Sequence, residues 1–207
     1  MIIEACVENF AQCIKAQKQG ANRIELCADL ESDGLSPSYE LMKIAKDGLN
    51  IPIRAMVRSR AGDFCYTEKE VEEMLSTIDL CKEVGVEGVV FGACTTNQEL
   101  DLQIIERLAD RAKPMKVTIH KAIDCCKNPV QEIKALKKLK NVDAVLTSGA
   151  EPTADQGQNM LRMMIKEAAG QLEIIACGKV TNENLQEIHQ LIGAKAYHGK
   201  LIVGSLD

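Results

Sequence analysis

A closed, parallel (β/α)8 barrel of the TIM type is the fold this chain predicts, on three observations. Short apolar runs of strand character alternate with longer segments of 3.6-residue periodicity. The short runs are apolar on both faces, as strands are when helices cover the outside of a parallel sheet. They number eight, with seven helical segments between them. Eight βα repeats favour closure over an open, doubly wound sheet, the other architecture that such alternation permits. A single barrel domain is expected over residues 1–207.

The elements follow in order. The first two strands, IIEAC at 2–6 and RIELC at 23–27, nearly repeat one another: Glu4 and Cys6 recur as Glu25 and Cys27 after 21 residues. The third to eighth are IPIRAMV (51–57), GVVFG (88–92), KVTIH (116–120), VDAVLT (142–147), LEIIAC (172–177) and KAYHG (195–199). Helical spacing is plain in Val71, Met74, Leu75 and Ile78, and again in Ile104, Ile105, Leu108 and Ala109. Helix starts are marked by Ser36-Pro37-Ser38, by Thr67 ahead of Glu68 and Glu70, by Asn128-Pro129 and by Thr181. Gly20, Gly48, Gly85, Gly170 and Gly193 mark helix ends. Only nine residues follow His198, too few for a full closing helix. The last outer helix is therefore expected to be short or absent, its place empty or covered by a partner subunit in a homodimer.

Composition bounds the function. The net charge is −5, and the densest basic run, KALKKLKN at 134–141, reads as one solvated helix face. Neither nucleic-acid nor membrane-surface binding has electrostatic support. The N-terminus carries no signal-like segment and no stretch is long and apolar enough to span a bilayer, so a cytoplasmic protein is expected. Its core is aliphatic, for there is no Trp and only three Phe and three Tyr. Nine cysteines without a C-x-x-C read as free thiols in a reducing compartment.

Chemistry in such barrels gathers at the carboxyl ends of the strands. Glu4, Glu25, His120 and Asp124 fall there as candidate acid–base groups, with Arg58 and Arg60 as candidate anion holders. Ser148, Gly149 and Gly178, in two small-residue loops, are further candidates for anion binding. Glu25 lies inside an apolar run, so it requires a buried Arg or His partner. The alternative for the whole set is an ion-pair network that only closes the barrel mouth. Strand parity sends Cys6 and Cys27 to the same side of adjacent strands. Paired thiolates suit Cu(I), with Met56 a soft third donor; the other reading of a buried Cys is a small hydrophobe.

Together the motifs resemble the copper homeostasis protein CutC family. The resemblance is carried by EAC at 4–6, GANRIELC at 20–27, GLSPS at 34–38 and MVRSRAGDFCYTEKEVEEM at 56–74. It continues through GVVFGACT at 88–95, TIHKAID at 118–124, LTSG at 146–149 and GKVTNEN at 178–184. It implies a barrel, cytoplasmic handling of copper, and Cu(I) on Cys6 and Cys27. The crowded charges also resemble those of an enzyme acting on a small anionic or sugar-like substrate. The chain departs from the family pattern at Asp33, Ser36, Ser59 and Lys121, and at Lys179, which interrupts a usual run of glycines.

Overall fold

The computed structural model describes residues 1–206. Eight parallel strands close in sequence order, β1 pairing with both β2 and β8. The order is β1 (Ile2–Val7), α1 (Phe10–Lys18), β2 (Arg23–Leu26), α2 (Tyr39–Gly48), β3 (Ile53–Met56), α3 (Glu68–Val84), β4 (Gly88–Phe91) and α4 (Leu102–Ala112). It continues with β5 (Lys116–Ile119), α5 (Pro129–Leu136), β6 (Ala144–Thr147), α6 (Gln158–Ala168), β7 (Glu173–Ala176), α7 (Leu185–Ile192) and β8 (Ala196–Gly199). All eight expected strands form, a residue or two shorter than their apolar runs in most cases.

Local chemistry explains most helix starts. Thr67 and Glu70 form a reciprocal capping box at the start of α3. Asn128 caps α5 with Pro129 at its first position, where the missing N–H would have had no partner. Ser38, one residue past Pro37, caps α2. The start of α7 differs from expectation. Asn184 precedes it, while Thr181 and Asn184 bond each other in a turn upstream.

Alternation divides each strand between two environments. Ala5 and Val7, Ile24 and Leu26, Val89 and Phe91 face the helices and form one continuous aliphatic shell. The other parity fills the barrel. Ala144, Leu146, Ile175, Cys177 and Ala196 make one small apolar cluster, and Cys6, Cys27, Met56 and Val90 make another. Between them lies a layer of buried charge.

No helix follows β8 among the described residues. The tail instead runs down the outer seam: Leu201 bridges Thr181, and Asn182 N–H donates to the Leu201 carbonyl at 3.0 Å. The Gln19 side chain reaches the Ser205 carbonyl at 3.4 Å. Ile202 and Leu206 are buried in the shell, so the chain's own tail occupies the place expected to be empty or covered by another subunit.

Candidate functional site

Register sets the first wall of the mouth. Pairing of β1 with β2 puts Cys6 level with Glu25, and pairing of β1 with β8 puts Glu4 level with His198. The Cys6 and Cys27 sulfurs lie 3.9 Å apart. Both thiols donate to Glu25 Oε2, at 3.3 Å and 3.5 Å. His198 spans the two carboxylates, with Nδ1 2.9 Å from Glu4 and Nε2 3.7 Å from Glu25. Donor atoms of Cys6, Glu25 and Cys27 fall within 4.8 Å of one another, as do those of Glu4, Glu25 and His198. His198, half-buried, is thus the partner that Glu25 was expected to need.

The electrostatics within this wall are sorted. Burial opposes ionisation of Glu4, but the His198 hydrogen bond and the Arg23 and Arg54 charges hold it down to about 2. Burial pushes Glu25 well above the usual carboxylate range, aided by the negative charges of Cys6 and Glu4. The hydrogen bond from Cys27 holds Cys6 well below a normal thiol, while that same bond raises Cys27. For His198, burial works against the charge but the surrounding acids and the Cys6 sulfur raise its basicity.

Beneath lies a layer that sequence reasoning missed. Arg23 bonds Glu4 and reaches Glu173 at 3.0 Å, while Arg54 bonds Glu87 at 3.0 Å and Thr118 at 2.6 Å. Both arginines are only 5% exposed. The signal was present: Arg23 precedes Glu25 by two residues and shares its parity.

The opposite wall departs from expectation in several places. Strand β3 stops at Met56, so Arg58 and Arg60 do not share a strand face. Arg58 is buried, its terminal nitrogens donating to the Ser32, Gly34 and Gly62 carbonyls, and it stacks 5.0 Å from the Phe64 ring. Arg60 turns away from the mouth to Glu70 at 2.5 Å and Asp63 at 2.9 Å. His120 is buried against Phe64 with 4.7 Å between ring centres. Burial and the Arg58 charge push His120 down to about 3, so it is neutral. Its Nδ1 accepts from Ala122 N–H at 3.1 Å, which places the proton on Nε2.

Asp124, Ser148 and Gly149 come together, but as one closed unit. The Asp124 carboxylate accepts from the Thr147 hydroxyl, from Ser148 N–H and Oγ at 3.0 Å, and from Ala150 N–H at 3.0 Å. Gly149 N–H goes to the Thr147 hydroxyl at 2.9 Å. The expected anion loop therefore holds the chain's own carboxylate. Gly178, at φ +104°, lets its loop pass against Ser148, where a Cβ would approach within 2.9 Å. In the next loop Thr181 and Asn182 N–H groups bond Asn184 and Leu201.

These walls enclose a mouth cavity of about 870 Å³. Cys6, Glu25, Met56, His120 and His198 line its depth, while Lys121, Lys179 and Lys200 also border it. Cys27 lies fully buried behind Cys6.

Comparison with known proteins yields concordant matches. The family model described as "CutC family" matches residues 1–203. A family protein CutC of Parabacteroides distasonis is 41% identical over 199 residues, covering 95% of this chain and 81% of that protein. The copper homeostasis protein cutC homolog of Homo sapiens is 34% identical, covering 95% of this chain and 72% of its own length. The crystal structure of CutC from Streptococcus agalactiae superposes with a TM-score of 0.93 at 29% identity, covering 98% of this chain and 99% of that one. The 4-hydroxy-tetrahydrodipicolinate synthase of Methylacidiphilum fumariolicum has a TM-score of 0.66 at 15% identity, covering 96% and 67% of the two chains, a likeness of fold alone.

Proposed function

Because the chain belongs to the CutC family, matched along residues 1–203, we propose that it serves copper homeostasis in the cytoplasm by binding Cu(I) as cargo through Cys6 and Cys27. The observation that carries this reading is the 3.9 Å separation of the two sulfurs. Metal–thiolate bonds of about 2.3 Å opening at roughly 120° would place two sulfurs about 4.0 Å apart. The donor set fits a soft monovalent ion: two sulfurs, with the Met56 thioether packed beside them. Glu25 orients both thiols through one oxygen, the outer-shell role that carboxylates play at metal sites.

Both cysteines must be thiolates to bind the ion, so uptake displaces the protons that the pair holds and affinity rises with pH. Anaerobic titration of Cu(I) against a competing chelator tests both points. Replacing Cys6→Ser together with Cys27→Ser should lower affinity at least a hundredfold. An affinity equal to that of the unaltered chain would refute the assignment.

A further inference from the structure

The mouth cavity is much larger than one metal ion requires. Liquid water takes about 30 Å³ per molecule, whereas this space measures about 870 Å³, the size range of pockets that hold small organic molecules. Much of its wall is apolar, including Leu30, Phe64, Leu146, Val180 and Leu201. Its charges run against those of the protein. Arg58, Lys121, Lys179 and Lys200 outnumber Glu25, Asp33 and Asp124 in a chain of net charge −5. Asp124 is engaged by the Thr147 hydroxyl and by the Ser148 and Ala150 N–H groups, and Lys121 Nζ lies 4.0 Å from it.

Two buried donors on this wall have no partner in the fold. His120 and Arg58 are each 4% exposed and both pack on the Phe64 ring. His120 Nε2 and Arg58 Nε find no acceptor, a deficit that costs about 1–3 kcal/mol per group. The Nε2 proton is fixed there by the Ala122 bond to Nδ1. A third orphan, Glu25 Oε1, lies across the cavity.

A strained residue stands at the rim. Lys179 adopts φ +55°, a left-handed conformation that costs a non-glycine residue about 1–2 kcal/mol. It follows Gly178, itself at positive φ. Its side chain is exposed at the edge of the cavity.

We infer that the mouth also binds a small organic oxyanion, a carboxylate or phosphate on an apolar body, against Phe64, His120 and Arg58, with Lys121 and Lys179 at the rim. This second ligand shares the cavity with the thiol pair but does not depend on copper. Cys6 and Cys27 serve the ion; the Phe64 wall serves the anion.

Calorimetric titration of the full-length, reduced, metal-free protein with phenyl phosphate, phenylacetate and neutral 2-phenylethanol tests this. At least one anion should bind, and at least tenfold more tightly than the alcohol; which anion does so identifies the head group. The double variant Lys121→Ala/Lys179→Gly alters two exposed side chains and relieves the strain at 179, so it should stay folded with an undiminished Tm. It should bind that anion at least tenfold more weakly. Cys6→Ser/Cys27→Ser should leave anion affinity within twofold, so failure of the copper reading is separable from failure here. Binding of neither anion, equal binding of the alcohol, or unchanged affinity in the lysine variant would each overturn the inference.

Discussion

Glu4, a candidate acid–base group in the sequence, sits in a buried ion-paired setting in the fold. Its carboxylate is 1% exposed and held by Arg23 below and His198 beside it. Its folded pKa of about 2, against 4.5 ordinarily, means that the folded state stays ionised where the unfolded state takes up a proton. That contribution, about 3 kcal/mol, is complete above pH 4.5 and lost as pH falls towards 2. Glu4→Gln should therefore destabilise the protein at neutral pH by about 3 kcal/mol, leaving buried Arg23 with Glu173 as its remaining carboxylate partner. Denaturant unfolding at a series of pH values checks this: the variant should also lose less stability than the unaltered chain below pH 4.5. Equal slopes would sink the assignment. Parity made Glu4, Cys6, Glu25 and Cys27 legible as one group, and the burial of Glu25 called for the partner found in His198. Arg23, Arg54 and Glu173 went unread because they lie near strand starts, and attention had gone to the ends. What sequence cannot show is whether a side chain's hydrogen-bonding capacity is already taken by backbone. Arg58 met three carbonyls that way.

Among elements, the βα loops carry most of the irregular backbone. Of the six non-glycine residues at positive φ among the described residues, five (Asp29, Asp33, Gln98, Ala150 and Lys179) lie in loops on the mouth side. The barrel strands are built from favoured conformations, and the strained backbone gathers around the mouth. The loop after β6 is held from outside by Asp124, through the Thr147 hydroxyl, both Ser148 donors and Ala150 N–H, and farther along by the Gly178 carbonyl, which accepts from Ala154 N–H at 2.9 Å. Asp124→Asn substitutes an NH2 for one accepting oxygen, so N–H groups would face N–H groups. We expect a loss of about 2–3 kcal/mol from charge-assisted bonds and faster hydrogen exchange confined to residues 147–151. Unchanged protection there would show that the loop holds itself. The sequence marked Thr147-Ser148-Gly149 as an anion loop, and in a sense it is one. The anion comes from the loop after β5, a pairing that only the closed sheet brings about.

At the scale of the molecule, the strands close the barrel and the tail packs along its last seam. The eight βα runs made the barrel legible, because continuous apolar strands alternating with amphipathic helices admit few arrangements. The seam after β8 was not legible, since seven irregular residues have no periodicity to read. Ile202, 1% exposed, anchors that tail in the aliphatic shell. Ile202→Ala should cost about 2–5 kcal/mol and promote self-association through the uncovered seam. Thermal unfolding and sedimentation measure the two effects, and a variant as stable and monodisperse as the parent would show the tail to be ornamental.

The layer of Arg23, Arg54, Glu4 and Glu173 across the barrel also settles traffic. It is a floor: paired charges near the strand starts cross the barrel beneath the mouth. An ion seated on Cys6 and Cys27 would lie deeper than anything held at the lysine rim, so an occupied rim would stand between that ion and the solvent.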